Sequence, residues 1–310
     1  MRQHALKMVS EIAKNNSKII FIGSDLGAET LSKMKAELPN QYFMEGISEQ
    51  YLVGFAAGLA KEGFIPYLNT IGTFFTRRAY EQICIDVALH DLPVRFLASG
   101  GGTVYAPLGP THTAIEDFSL MLSIPNLKVF APADANEMET LILASVTDPN
   151  PIYIRFGKGG EKIVTEGYGD SIYDPKIFGN PDAEIVICTT GVVLQHCLDA
   201  QKILNTEGLA VTIAHFPYLN DLQVEKSKKM YTKANLIVCA EEHIPIGGLF
   251  TRLLHSIHAA GLESKKMKQI SLPHKFSHNY GSQLDHLIHN GLDGSSIAKS
   301  IKNFLTEQVR

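Results

Sequence analysis

Residues Lys128 to Arg155 read KVFAPADANEMETLILASVTDPNPIYIR. A short apolar run, Lys128–Ala131, is followed by a helical pattern over 134–147 and then by a second apolar run, Ile152–Arg155. Parallel strands need a long connection between them, and a helix usually supplies it. This stretch therefore predicts two parallel strands joined by a helix that covers the sheet.

The same alternation extends in both directions from this stretch. Further strands are predicted at Ile19–Ile22, Tyr42–Glu45, Ile65–Asn69, Val94–Ala98, Glu184–Thr189, Ala210–Phe216, Leu236–Ala240 and Lys268–Leu272. Helical patterns lie at about 3–15, 28–37, 49–62, 74–90, 114–123, 193–206, 221–232 and 248–260, and continue to the end of the chain. The expected fold class is α/β, with two consecutive open, mostly parallel sheets flanked by helices.

One break interrupts the alternation. Residues 157–183 are rich in Gly, Pro, Asp and Tyr, a composition typical of a linker or long loop. At roughly 150 residues per domain, the chain length of 310 also predicts two domains. We expect a first domain over 1–165, a linker over 166–182 and a smaller second domain over 183–310.

Composition excludes several classes of protein. Lys and Arg number 28 and Asp and Glu 32, so a net charge of −4 argues against nucleic acid as the main partner. The longest apolar stretch, Leu52–Ala60, is far shorter than the roughly 20 residues of a membrane span. Four cysteines are too few for a disulfide scaffold, and the expected location is the reducing cytoplasm.

Ligands bind open parallel sheets beyond the carboxyl ends of the strands, and four segments fall there. They are Glu45–Gln50, Thr73–Arg78, Gly100–Gly102 with Leu108–His112, and Arg155 with the following Gly157–Gly160. Each also has a structural interpretation: a helix start, core aromatic residues, a surface histidine and an ion-pair partner, respectively. From the residues alone the structural interpretation is favoured for Glu49 and for the adjacent aromatic residues, whereas position at the sheet edge raises the odds of a functional role for His112.

The chemistry of these segments points to a flat, anionic ligand. A carboxylate in the first turn of a helix, as at Glu49, interacts favourably with the helix dipole. Adjacent aromatic residues could stack on a heterocycle, and three consecutive glycines could present N–H groups to an anion. Neither GxGxxG nor GxxxxGK[ST] occurs, which argues against Rossmann dinucleotide and P-loop sites. The histidine pairs His255/His258, His274/His278 and His286/His289 lack further ligands, so a solvated or interfacial surface is favoured over a metal site.

Taken together, the chain resembles the thiamine-diphosphate-dependent transketolase family over nearly all of its length, in the pyrimidine-binding and C-terminal domains. The phrases that carry the resemblance are FMEGISEQ (43–50), RAYEQI (78–83), DVALHDLPV (86–94), GPTH (109–112) with Glu116-Asp117, IPNLKVFAPAD (124–134) and EEH followed by GGL (241–249). The order and spacing of these phrases together support the resemblance.

The resemblance implies roles for the candidate residues. Glu49 matches the catalytic glutamate that hydrogen-bonds the aminopyrimidine ring and favours the imino tautomer, which removes the thiazolium proton. Phe74 or Phe75 matches the aromatic residue that packs on this ring, with Phe75 favoured, and Arg78 joins the cofactor-binding group. His112 matches a catalytic, substrate-contacting histidine. Three further residues are implied in substrate binding: Arg155, Gly101 and Gly102.

Two departures from the family concern the donor substrate. Leu108 stands where members that handle ketols carry an acidic residue, and Ser99–Gly102 replaces a histidine-containing segment. Both changes remove groups that would bind a donor hydroxyl, so a standard ketose-phosphate donor is in question.

The larger departure concerns the diphosphate and Mg²⁺. The family binds them with Gly-Asp-Gly followed by Asn; Gly169-Asp170-Ser171 lacks the third glycine and the Asn, and Asp293-Gly294 lies too near the end. We therefore expect no metal ligands on this chain. A partner subunit with the diphosphate-binding domain would supply the Mg²⁺ ligands, most simply in an α₂β₂ assembly.

The expected function is the C-terminal subunit of a split transketolase-like enzyme of carbohydrate metabolism. It would transfer a two-carbon ketol or acyl unit from a donor to an aldehyde acceptor, with sugars or sugar phosphates as substrates. One alternative is the beta subunit of a decarboxylating 2-oxo-acid dehydrogenase component or a deoxyxylulose-phosphate-synthase-like enzyme. Another is a non-catalytic scaffold or regulatory subunit.

Overall fold

The computed structural model describes residues 1–167, 171–262 and 264–307. Its strands are β1 Ile19–Gly23, β2 Tyr42–Met44, β3 Ile65–Ile71, β4 Arg95–Ser99, β5 Lys128–Phe130, β6 Ile152–Phe156, β7 Lys176–Phe178, β8 Ile185–Thr189, β9 Val211–His215, β10 Leu236–Glu241 and β11 Lys266–Ser271. They form two sheets that follow one another along the chain.

The helices flank these sheets. They are α1 Arg2–Asn15, α2 Ser32–Glu37, α3 Glu49–Lys61, α4 Tyr80–Gln82, α5 Asp117–Met121, α6 Ala135–Ser145, α7 Leu194–Thr206, α8 Lys228–Lys233, α9 Leu249–Ala259, α10 Gln283–His289 and α11 Gly294–Glu307. Shorter 3₁₀ turns lie at Pro39–Gln41, Ala88–His90, Ala106–Leu108, Gly191–Val193 and Val224–Ser227, and π-helical turns at Phe74–Arg78 and Ile83–Val87. In the described part of the chain, no helix combines the length and the apolar character that crossing a bilayer requires.

The first sheet is parallel throughout, in the order β2-β1-β3-β4-β6-β5. Strands β1, β4 and β6 are buried along their whole length, as expected when helices cover both faces. From β1 the chain passes to one side into β2 and then to the other side into β3, which places the topological switch point between β1 and β3. The predicted α/β fold class is confirmed.

The second sheet has the order β11-β10-β8-β9-β7 and is parallel except for β7, which pairs antiparallel with β9. Strand β7 lies inside the segment 166–182 that the sequence predicts as a linker, so part of that segment belongs to the second sheet. Its three residues are only partly buried, so they leave no apolar run in the sequence. We retain the division into 1–165 and 183–310 as a proposal, with β7 joined to the second unit.

Four predicted helices differ from the observed ones. The pattern over 221–232 forms a 3₁₀ turn at Val224–Ser227 and is α-helical only from Lys228. The pattern over 74–90 forms π, α and 3₁₀ turns instead of one helix, with a break at Ala79, whose φ is −116°. Residue Ala114 pairs with Gly102 in an isolated bridge, so the helix predicted from 114 begins only at Asp117. The helix predicted from 28 begins at Ser32.

The two units share an extensive contact. The segment after β9 runs beside the edge strand β5: the N–H of Ala131 donates to the carbonyl of Pro217 (2.8 Å), and the N–H of Leu219 donates to that of Val129 (3.0 Å). One apolar core is continuous across the contact and includes Phe118, Met121 and Val129 of the first unit with Phe216, Leu219 and Leu249 of the second. The candidate site therefore lies on a scaffold that both units stabilise.

Candidate active site

Glu49 opens α3, directly after β2, and is fully buried. Its Oε1 accepts a hydrogen bond from Thr70 Oγ1 (3.2 Å), and its Oε2 accepts one from Arg78 Nη1 (2.5 Å). The position is favourable for a carboxylate because the N-terminus of a helix carries partial positive charge. A buried carboxylate at a sheet's carboxyl edge is thus held by one hydroxyl and one cation.

The residues around Glu49 come from three neighbouring strands at the switch point. Ser24, after β1, donates from Oγ to Thr70 Oγ1 on β3 (3.0 Å), and Thr70 in turn donates to Glu49 after β2. Two further polar atoms at this edge, Asn69 Oδ1 and Thr73 Oγ1, are buried without a hydrogen-bond partner among the described residues. Such atoms cost free energy unless a ligand or water satisfies them.

The two adjacent phenylalanines have different environments. Phe75 is fully buried in the core and meets the Phe96 ring edge-on, with centroids 5.3 Å apart. Phe74 is half-buried, and the guanidinium of Arg78 lies 4.5 Å from its centroid. The ring of Phe75 offers no free face to a ligand, so the preference for Phe75 gives way to Phe74.

His112 lies in the same group of side chains. Its ring meets the ring of Phe74 edge-on, at 5.4 Å between centroids, and its Nδ1 is 2.8 Å from Thr111 Oγ1. It is half-exposed, because the preceding Gly109-Pro110 turn carries it to the surface of the site. The structure therefore brings together Glu49, Phe74, Arg78 and His112.

The glycines at 100–102 allow close packing of their neighbours, and their N–H groups are not free to bind an anion. Their N–H groups already donate to backbone carbonyls: Gly100 and Gly101 to Phe156, and Gly102 to Ala114. A Cβ on Gly101 would lie 2.0 Å from Nε of Arg155. The contacts therefore lend no support to the expectation that Gly101 and Gly102 bind substrate through these groups, because the donors are engaged and the missing side chains make room for neighbours.

Arg155 is also enclosed by protein. It is 7% exposed, its Nη2 donates to the carbonyl of Glu242 (2.7 Å), and its Nη1 lies 3.5 Å from Oδ1 of Asp117. The guanidinium packs on the ring of Phe118 at 4.3 Å. The structural interpretation of Arg155, a partner of acidic residues, is the one observed, because its charge is used between the two units.

The Glu241-Glu-His motif is part of the same contact between the units. Glu241 accepts from the N–H of Leu249 (2.7 Å) at the start of α9, while Glu242 accepts from the N–H and Oγ1 of Thr103 (2.9 and 2.6 Å). Burial, followed by the charge of Arg155, lowers the pKa of His243 to about 3. This motif joins the domains and does not face the Glu49 site.

Asp117 is the other strongly perturbed group there. Burial raises its pKa to about 6, against the opposing effects of Arg155 and of the hydroxyl of Tyr153, which donates to Oδ2 at 3.1 Å. Perturbed carboxyls mark functional sites in many enzymes, but ion-pair networks perturb them too. The partners of Asp117 identify it as a member of the interdomain network.

Metal-ligating groups are not assembled in the described residues: no three His, Cys, Asp or Glu side chains there are placed to hold an ion. The histidine pairs of the second unit do not acquire further ligands in this part of the chain. Gly169 and Asp170, the partial diphosphate motif, lie outside the described residues.

Sequence reasoning missed three polar residues of the site, Ser24, Asn69 and Thr70, and gave no role to Thr73 although it opens the candidate segment Thr73–Arg78. Ser24 directly follows β1, Asn69 and Thr70 are among the last three residues of β3, and Thr73 lies two residues beyond the end of β3. The signal was present, since polar residues at the ends of apolar strands are unusual in a buried sheet. It became specific only when the strand order placed β1, β2 and β3 side by side.

Two family models match the chain. They are the transketolase pyrimidine binding domain over residues 1–160 and the transketolase C-terminal domain over residues 179–293. A 1-deoxy-D-xylulose-5-phosphate synthase from Dictyoglomus thermophilum is 33% identical over 307 residues, which is 97% of this chain and 48% of that protein. The chain thus spans about half the length of such relatives.

Relatives of similar length also exist. A transketolase family protein from Sinorhizobium fredii is 29% identical over 98% of this chain and 88% of its own length. Among solved structures, an inactive beta4 tetramer of a split gene transketolase superposes with a TM-score of 0.85 at 26% identity, covering 98% of this chain and 97% of that one. The chain therefore belongs to the transketolase family.

Proposed function

We propose that this chain is the aminopyrimidine-binding half of a thiamine-diphosphate-dependent transferase. In this proposal it is active with a partner chain that carries the diphosphate-binding domain. The observation that carries the proposal is Glu49, a fully buried carboxylate that opens α3 at the switch point of the first sheet. The family relationship supports the same assignment.

The residues present fit the pyrimidine half of thiamine diphosphate. The guanidinium of Arg78 is flat and rich in N–H donors; it stacks on Phe74 and donates to Glu49. An aminopyrimidine is also flat and carries an amino group and ring nitrogens, so it suits the same pair of residues. The side chain of Arg78 is 42% exposed and has room to turn towards solvent. Unpaired Asn69 Oδ1 and Thr73 Oγ1 offer further acceptors nearby.

The roles of the chain's own residues follow from this geometry. Glu49 would exchange a hydrogen bond with a ring nitrogen, and Thr70 with Ser24 behind it would hold the carboxylate in place. Phe74 would pack on the ring, and His112 at its edge would donate to or accept from the substrate. When bound, thiamine diphosphate supplies the carbon nucleophile that attacks the donor carbonyl.

The diphosphate half of the cofactor needs oxygen ligands for Mg²⁺. No cluster of acidic side chains in the described residues offers them. We assign these ligands to the partner chain, and infer that the cofactor lies between the two.

An exposed apolar face next to Glu49 supports a partner there. Ile47 is 66% exposed, Tyr51 is 56% exposed, and Ile85, on the helical turn Ile83–Val87 that packs against α3, is 50% exposed. Gly58, on α3, has open space where a side chain would be. Large exposed apolar residues grouped in this way are typical of an interface. The beta-chain tetramer of the split gene transketolase indicates that related chains assemble through their own surfaces.

Leu108 bears on the identity of the donor substrate. This residue is 54% exposed in the turn before His112, and its hydrocarbon side chain does not bind a hydroxyl. We propose transfer of a two-carbon unit to an aldehyde as the leading reaction. The relatives named as 1-deoxysugar synthases favour a second candidate: a 1-deoxy product carries a methyl group, so its donor lacks the hydroxyl, as pyruvate does.

The test is reconstitution with a chain that contains the Gly-Asp-Gly and Asn motif and is encoded beside this one. The pair should bind thiamine diphosphate with Mg²⁺ and transfer a two-carbon unit from a ketose to an aldehyde. Glu49→Gln should lower the rate by about 100-fold or more, because the activating carboxyl is lost. Release of CO₂ from pyruvate by the pair would instead establish the second candidate.

Glu62→Gln, at the exposed opposite end of α3, is the matched control and should retain the rate. Circular dichroism of both variants checks that the fold is unchanged. Full activity of Glu49→Gln would refute the assigned role of Glu49, and turnover by this chain alone would refute the need for a partner.

A further inference from the structure

A polar cleft lies apart from the Glu49 site, between the loop 272–279, α10 and the segment around Thr103 and Thr113. Its volume is about 160 Å³, many times what one water molecule needs. The side chains of Lys275, His278, His286 and His289 line it, with Asn279 and Asn290 between them. No Asp or Glu among the described residues lines the cleft.

His286 is the member whose surroundings call for a ligand. It is 4% exposed, and its Nε2 lacks a hydrogen-bond partner among the described residues. Burial of a polar nitrogen without a partner is unfavourable. The ring lines the cleft, whereas Nε2 itself is covered; a turn of the ring would bring Nε2, when it carries the proton, to a hydrogen-bond acceptor inside the cleft.

The nearest acidic side chains are committed elsewhere. Asp285, next to His286, accepts from the N–H and Oγ of Ser282 (2.8 and 2.7 Å) in a capping box at the start of α10. Glu116 is paired with Arg77 at 2.5 Å. The cleft therefore presents the positive charge of Lys275 together with imidazole and amide N–H groups, which suits an anion, and no three side chains of the described residues are placed to hold a metal ion.

We propose that this cleft binds a phosphate group, either as inorganic phosphate or on a small metabolite. His286 donates from Nε2 at its base, and Lys275 and His278 contact the anion from the exposed rim. Ile115 and Leu272 form an apolar wall against which the carbon part of a metabolite packs. The site is independent of the transfer reaction proposed above, and it needs no partner chain.

The experiment follows the histidine nitrogens of the full-length chain by NMR, with ¹⁵N-labelled histidine, at constant ionic strength. Inorganic phosphate and glycerol 3-phosphate are titrated separately, with glycerol as the uncharged control. We expect a saturable shift of the His286 Nε2 resonance with both phosphates and none with glycerol. Tighter binding of glycerol 3-phosphate would identify a metabolite as the ligand, and equal binding would identify phosphate itself.

Lys275→Ala should weaken binding about tenfold, since it removes one charge-assisted hydrogen bond. His255→Ala, an exposed histidine on α9 away from the cleft, is the matched control and should bind as the wild type does. Lys275 is exposed, so its replacement leaves the fold intact. The proposal is overturned if His286 does not respond to either phosphate, or if Lys275→Ala and His255→Ala weaken binding equally.

Discussion

Gly102 lies where the two units approach each other closely. A Cβ there would lie 2.3 Å from the carboxyl carbon of Glu242, and the backbone has φ +64°, which favours glycine. Glu242 is 3% exposed and hydrogen-bonded to Thr103, so it has no room to retreat. The absence of a side chain at 102 is thus a condition for docking of the second unit.

We expect Gly102→Ala to lower the free energy of unfolding by about 2–4 kcal/mol, through backbone strain and overpacking. Urea denaturation followed by circular dichroism measures this difference. Gly58→Ala is the control: it lies inside α3 with open space around it, so it should be neutral or stabilising by about 0.5–1 kcal/mol. Equal stability of the Gly102 variant and the wild type would show that the docking contact tolerates a side chain.

Individual residues show which parts of the candidate site could be predicted from the sequence. Glu49 could be assigned a role only through the resemblance of FMEGISEQ to the family, because a carboxylate in the first turn of a helix has by itself an ordinary structural explanation, whereas the choice between Phe74 and Phe75 could not be made. Adjacent residues in a turn point in different directions, and only the packing of Phe75 on Phe96 shows which one faces the core. Arg155 was placed correctly at a strand end, but Glu242, 87 residues away, was not recognisable as its neighbour.

His243 lies just after the end of β10 and packs against α5. The ring stacks on Phe118 with centroids 5.3 Å apart, and its Nδ1 lies 2.7 Å from the carbonyl of Ile244. The N–H of Ser119 points at Nε2 from 3.4 Å, so these contacts suit a neutral ring protonated at Nδ1. Burial and nearby Arg155 lower the pKa of His243 to about 3.

This histidine makes stability depend on pH. Its pKa in the unfolded chain is about 6.5, so below that value the unfolded state binds a proton that the folded state does not accept until about pH 3. The stabilisation of the folded state by the neutral His243 ring is fully present above pH 6.5 and is lost as the pH falls. Between pH 6.5 and 5 the loss is about 2 kcal/mol, at about 1.4 kcal/mol per pH unit.

The check compares urea unfolding of the wild type and His243→Asn at pH 7.5 and pH 5. The stability of the wild type relative to the variant should decrease by about 2 kcal/mol towards pH 5. The raised pKa of Asp117 acts in the opposite direction in both proteins and largely cancels in the difference. The exposed His255→Asn should follow the wild type; parallel curves for His243→Asn would contradict the prediction.

Elements with strong apolar patterns were predictable, and irregular ones were not. Strands such as β1 and β8 are continuous apolar runs, so their bounds in the structure differ by one residue from those predicted. Strand β7 is short and half-exposed and owes its conformation to pairing with β9. The turns over 74–90 keep a helical pattern, but the π turn at Phe74–Arg78 carries Arg78 back to Glu49, and no local signal in the sequence encodes that.

The two units of the molecule are joined by many polar contacts, and several of these contacts are buried. Glu137 on α6 lies 3.0 Å from Nε2 of His215 on β9, and both are fully buried. The N–H of Val129 donates to Oδ1 of Asn220 (2.7 Å). Because the apolar core is continuous too, the two units are expected to unfold together rather than one after the other.

A cut in the exposed segment after β6 tests this coupling. We expect a chain with a specific protease site inserted between Gly159 and Gly160 to stay assembled after cleavage, since the buried contacts between the units, and those of Val164 and Thr165 with Asp134, do not depend on that peptide bond. Gel filtration after cleavage should give a single peak that contains both fragments. Asn220→Ala, which removes two hydrogen bonds to the first unit, should make the fragments separate more readily. Separate peaks for the unsubstituted chain would show that the covalent link holds the units together.

The short stretch after β9 that runs beside β5 has a consequence for truncation. Strand β5 ends the first sheet, and without Pro217 and Leu219 its outer backbone groups would lack their present partners. An open strand edge is a template for pairing with other molecules. Residues 1–165 made alone would therefore tend to aggregate along β5. In the intact chain, the second unit prevents this association because it covers the edge of that strand.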